Sequence, residues 1–189
     1  MPTHIILFYK YTPLSTDTIK MEEYKSLLLT LTKALHLRGR LLLGRSLNEG
    51  LNGTFSGTYT ALMCYEAAMG LEGSSNKKVS EANEETVTEY IRGHAVASTS
   101  TAASDRDAVD PALLSAYIPH VLAFLKSPLP VPNFTIPHAE FKWSKNIPSP
   151  SGELSQVFPD LFIKVVNEII GTGGLLESIP IQEVRPPSK

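Results

Sequence analysis

Leu47-Asn48-Glu49-Gly50-Leu51-Asn52-Gly53-Thr54-Phe55-Ser56-Gly57 is a Gly/Asn-rich stretch that joins two apolar runs. Asn52-Gly53 is the dipeptide that best tolerates the positive φ angles of a tight type I′ turn, and Gly50 adds a second flexible point. The stretch predicts a β-hairpin, with strands over residues 40–46 and 53–57. A direct hairpin excludes a doubly wound parallel sheet here, because parallel neighbours need a crossover.

Working outward, residues 4–11 are β-branched and aromatic and read as a strand ended by Thr12-Pro13. Ser15, Thr16 and Asp17 offer N-caps for a helix to about residue 36. Tyr24, Leu27, Leu28, Leu31, Ala34 and Leu35 recur at helical spacing, so one stripe of it faces a core. Gly39 fits the position just past that helix. After the hairpin, residues 59–69 read as a helix of good formers.

Beyond Gly70 the composition changes. Residues 74–108 are rich in Ser, Thr, Glu and Asn and bury too little to offset their ordering entropy. They are expected to be mostly disordered, with room for a short helix over 84–92. Asp110-Pro111 is an N-cap followed by a proline in the first turn, opening a helix to about residue 126. Pro119 is expected to kink or divide it. Short strands are expected at 140–144 and 161–170, and residues 175–189 read as a tail or linker.

The order strand, helix, strand, strand, helix, strand, strand suits an α+β fold. It is a ferredoxin-like or acylphosphatase-like antiparallel sheet of four to five strands with helices on one face. The single domain spans 1–174, interrupted by a low-complexity insertion at about 70–112.

With 189 residues, 42% of them apolar, the chain can bury one good core. A net charge of −2 argues against a general nucleic-acid or membrane-surface binder. Cys64 is the lone cysteine, so no intrachain disulfide can form, and a reducing, cytoplasmic compartment is the default. The apolar run at residues 5–8 is too short for a signal or membrane helix.

Lys10, Arg40, Lys142 and Lys164 all fall on expected strands. If they share the sheet face away from the helices, they form a basic surface suited to phosphate oxygens. Tyr9, Tyr11 or Trp143 would supply stacking platforms. The competing reading is a solvated face with lysines protecting its edges. Strand alternation already sets Tyr9 and Tyr11 opposite Lys10. Glu49 and Asn52 either orient a substrate hydroxyl or base edge from the hairpin end, or Asn52 makes the turn and Glu49 is solvated or caps a neighbouring loop. Thr54 and Ser56 alternate along the strand and point to one face. The five histidines show no paired-ligand spacing, so neither a metal site nor a cofactor is expected. Cys64, in a helical run without an adjacent base, reads as a buried thiol.

Four blocks resemble, in order, the N-terminal domain of the tRNA uridine(34) hydroxylase family, whose members carry a rhodanese domain. Phe8-Tyr9-Lys10-Tyr11 looks like its first strand, and Gly39-Arg40-Leu41-Leu42-Leu43 its G-R-I-L-I segment. Leu47 to Gly57 looks like E-G-I-N-G-T-x-S-G. Phe141-Lys142-Trp143-Ser144, with Ile163 to Ile170, looks like F-K-x-S and V-R-V-R-K-E-I-V. The resemblance implies a role in tRNA wobble-uridine modification. The module would position RNA or dock on a rhodanese domain in cis or in trans, without catalysing anything alone. Residues 59–69 and 113–126 together resemble that family's single helical region, and nothing here matches the rhodanese C-x-x-G-x-R loop. Two alternatives stand beside this reading. One is an acylphosphatase-like hydrolase, which needs a phosphate-holding arginine that residues 11–17 lack; the other is a stand-alone protein-interaction module.

Overall fold

The computed structural model describes residues 4–45, 49–74, 82–95, 109–128, 131, 134–145, 158 and 160–169. The chain runs β1 (His4–Lys10), α1 (Thr18–Ala34), β2 (Arg38–Gly44), β3 (Leu51–Gly57), α2 (Tyr59–Ser74), α3 (Glu84–His94), α4 (Pro111–Lys126), a 3-10 turn (His138–Glu140), β4 (Lys142–Lys145) and β5 (Leu161–Val166). The strands form one five-stranded sheet in the order β4-β1-β3-β2-β5. The fold is α+β and acylphosphatase-like. Three neighbouring pairs are antiparallel, whereas β5 runs parallel to β2, so the sheet is mixed where pure antiparallel pairing was expected. The physical reason is that β4 and β5 occupy opposite edges. β5 is therefore not joined to its neighbour β2 by a hairpin, and a neighbour not joined by a hairpin is free to run parallel.

The hairpin forms, but not with the expected turn. Leu43 pairs Leu51 at its end, and the Gly44 N–H donates to the Gly50 carbonyl at 2.8 Å. Asn52 and Gly53 lie inside β3, opposite Tyr9 and Phe8 of β1. Gly50 takes the positive φ, 62°, and a Cβ there would stand 1.8 Å from the Lys10 carbonyl. Gly53 serves packing, because a Cβ at this position would lie 2.3 Å from Phe8 Cζ. The missing side chain admits the Phe8 ring into an aromatic cluster with Phe55, Tyr65 and Phe141, with centroid separations from Phe8 of 5.7, 5.5 and 5.3 Å.

Helix α1 begins where Asp17 Oδ1 accepts the Ile19 and Lys20 amides at 2.8 and 3.2 Å. Its far end closes on His36, not Gly39: His36 adopts φ 54°, its N–H donates to Lys33 O, and the Leu37 N–H donates to Thr32 O. That is a Schellman closure with Leu37 as its buried hydrophobic partner. Gly39 lies instead within β2.

Helix α2 is buried on every side from Tyr59 to Leu71. The sheet covers one side, and α3 and α4 cover the others. A helix without a polar face demands such enclosure. Residues 59–69 and 113–126 fall in two helices, α2 and α4, that pack against each other. Pro119 does not divide α4. It is exposed, and so is Ser115 one turn earlier, where the unbonded carbonyl of that turn meets water. Within 74–108 the short helix for which the sequence left room over 84–92 forms as α3 over 84–94, opened by a capping box between Asn83 and Thr86; residues 75–81 and 96–108 lie outside the described residues.

Candidate functional site

Period-2 alternation sorts every strand residue to one of two faces. Ile6, Phe8, Leu41, Leu43, Leu51, Phe55 and Ile163 point into the core beneath the helices. The residues between them form the other face, which no helix covers among the described residues. The register sets out this open face in rows. Lys142, Leu7, Thr54, Arg40 and Phe162 form one row across all five strands. Tyr9, Asn52, Leu42 and Lys164 form the next. Ile5, Ser56 and Arg38 form a third.

Two chemistries mix on this face. Arg38, Arg40, Lys142 and Lys164 are exposed cations. Leu7, Tyr9, Tyr11 and Phe162 are 41%, 44%, 54% and 52% exposed, far more than large apolar side chains need to be. The Tyr9 and Tyr11 rings lie 5.5 Å apart, just past the β1 end of the second row. Asn52 and Thr54 make a polar strip on β3 between the aromatic and the basic strands.

Of the residues singled out from sequence, Arg40, Asn52, Thr54, Lys142 and Lys164 meet on this face. Lys10 does not share it: alternation places it on the helix side, and its Nζ donates to the Thr135 carbonyl. Trp143 also faces inward. Glu49 is a tether, with its Oε2 accepting the Ile169 N–H at 2.6 Å and fixing the segment after β5 to the hairpin loop. Arg38 and Phe162 were missed. Their signal was available, since each sits two residues from Arg40 or Lys164 on the same strand.

A second cluster lies inside. Glu66, the lone charge between Tyr59 and Leu71, is fully buried. Its carboxylate accepts Trp143 Nε1–H at 2.8 Å and pairs with His138 Nδ1. His94 stacks on Tyr90 at 4.1 Å and tilts against His138 at 4.5 Å. Burial pushes the Glu66 carboxyl above the usual carboxylate range, and its bonds to His138 and Trp143 pull the other way. This cluster joins α2, α3, the 3-10 turn and β4. Cys64, nearby in α2, is buried and its thiol is pushed up to about 12, a poor nucleophile. Among the described residues no three His, Cys, Asp or Glu side chains are grouped to hold a metal ion. Nor is any described helix long and apolar enough to cross a membrane.

The loop from β1 to α1 bears on hydrolase chemistry. Two amides of the first α1 turn are already taken by the Asp17 carboxylate, which opposes a second anion there. Residues 11–17 contain no arginine.

The fold and the uncovered face define a small α+β protein built on an acylphosphatase-like sheet. Residues 3–98 match the family model described as the UPF0176 acylphosphatase like domain, and the chain belongs to that family. No curated protein and no solved structure matches the chain.

Proposed function

We propose that this chain is an RNA-positioning module in tRNA wobble-uridine modification, acting in the cytoplasm beside a rhodanese-type catalytic domain supplied in cis or in trans. The open sheet face is where it takes hold of RNA. One observation carries the reading: Arg40, Lys142 and Lys164 share a helix-free face with exposed Tyr9 and Phe162. Cationic heads engage phosphate oxygens, while aromatic rings stack on unpaired bases. A single-stranded loop, such as an anticodon loop, offers both at once.

A tRNA gel shift at two salt concentrations tests this. The Arg40→Glu/Lys164→Glu variant loses binding at least tenfold, whereas Lys126→Glu on α4 binds as the wild type does. No tRNA binding by the wild-type chain, or equal binding by all three, rejects the reading.

Exposed Leu7 beside Tyr9 favours a second reading, in which the same face docks a protein domain. Weak dependence of that association on salt would separate the two, because counterion release accompanies RNA alone.

A further inference from the structure

The two edges of the sheet are built differently. β4 has four residues and both its first and last are lysine, a short and basic edge of the kind that discourages pairing. β5 has six residues, Leu161-Phe-Ile-Lys-Val-Val166, five of them apolar, and no proline. Among the described residues no strand lies beyond it.

The direction of its backbone groups follows from its bonds to β2 and the residues flanking it. The Gly39 N–H donates to Asp160 O at 2.9 Å, and the Arg45 N–H donates to Val166 O at 3.0 Å. Backbone groups alternate sides residue by residue, so even-numbered positions of β5 turn inward. The N–H and C=O groups of Leu161, Ile163 and Val165 point outward. Three donors and three acceptors therefore stand in a row along the edge.

We propose that this edge is a homodimer interface, with two copies of β5 pairing antiparallel about Ile163. The strand is complementary to itself in that register. Ile163 meets Ile163 of the second copy, and Leu161 meets its Val165, on the core side. On the open face Phe162 lies opposite Lys164 of the second copy, twice, and each pair sets an ammonium against an aromatic ring. No like charges face each other. A shift by two residues in either direction leaves part of the Leu161-to-Val165 run without a partner from that run. The outward groups make a full hydrogen-bonded ladder, and the two sheets join into a single ten-stranded one. The inference stands apart from the RNA reading. If both hold, the two open faces become one continuous surface with Arg40 and Phe162 of each copy near its centre.

Sedimentation equilibrium on the full chain, over a hundredfold range of concentration, tests the proposal. The wild type associates to a dimer. Phe162→Lys places like charges opposite each other and weakens association at least tenfold, with an unchanged far-ultraviolet spectrum. Phe162→Lys/Lys164→Glu sets opposite charges in the same positions and restores the dimer. A wild type that stays monomeric throughout, a dimer indifferent to Phe162→Lys, or a double variant no tighter than the single one overturns it.

Discussion

Glu66 in the middle of α2 accepts the indole N–H of Trp143 on the edge strand β4 at 2.8 Å. The bond joins residues 77 apart in sequence, and both Glu66 oxygens are engaged, the other by His138. Truncation to Glu66→Ala leaves the indole donor without its acceptor. The expected loss is about 1–3 kcal/mol, read from the urea midpoint at constant m-value. A variant as stable as the wild type would mean that this bond contributes nothing net.

The same carboxyl fixes the sign of a pH effect. Burial raises its folded-state pKa. As pH climbs, the unfolded chain ionises this group first, at the ordinary glutamate value of about 4.3, and is stabilised by doing so. Below that value both states hold the proton and the group adds no slope. The contribution therefore falls from the ordinary value up to the raised one. Subtracting the stability of Glu66→Gln from that of the wild type isolates it. The difference should decline through this window, and a flat or rising difference would contradict the burial argument.

Gly53→Ala tests what the Asn-Gly pair is for. A methyl group there runs into the Phe8 ring and the Leu41 side chain. Overpacking of this kind costs about 1–3 kcal/mol. Thermal unfolding of this variant alongside Gly53→Ala/Phe8→Leu checks the cause, because the smaller partner should recover part of the loss.

On the open face, Tyr9→Ala should weaken tRNA binding by about 1–3 kcal/mol per lost stack while leaving the salt slope as it was. Arg40→Ala should instead flatten the slope by about 0.7. Titrations at four salt concentrations distinguish the two, and identical behaviour would dissolve the division between stacking and phosphate contacts.

Asp17→Ala removes the acceptor of the first-turn amides of α1 and should cost about 1 kcal/mol. In a chain of this size that is a fall of about 2–4 °C in Tm. Calorimetry reads it directly.

Much of the fold could be read in advance because alternation and helical spacing are local signals. The strand pattern of residues 4–10 and the apolar stripe of α1 needed no tertiary knowledge. What failed depended on distant partners. Asn52-Gly53 has the chemistry of a turn, yet Gly53 answers to the Phe8 ring on another strand. Gly39 has the chemistry of a helix stop, yet His36 closes α1 and Gly39 pairs within β2. The parallel run of β5 depends on its pairing with β2, more than a hundred residues earlier, which no local pattern encodes. Among the site residues, parity alone separated Lys10 from Tyr9. The Glu66 cluster was missed although the sequence marks it, as a single charge inside an otherwise apolar helix.

The enclosure of α2 orders events during synthesis. This helix, α3 and the inner strands precede α4 and β4 in the chain, and α4 and β4 cover α2 and the flank of β1. A nascent chain grown to about residue 98 holds α2 with α3 beside it but without α4, so one apolar flank of α2 stays exposed until α4 has emerged. Slow codons between α3 and β4 would lengthen that exposed interval, and the yield of native protein would register the delay.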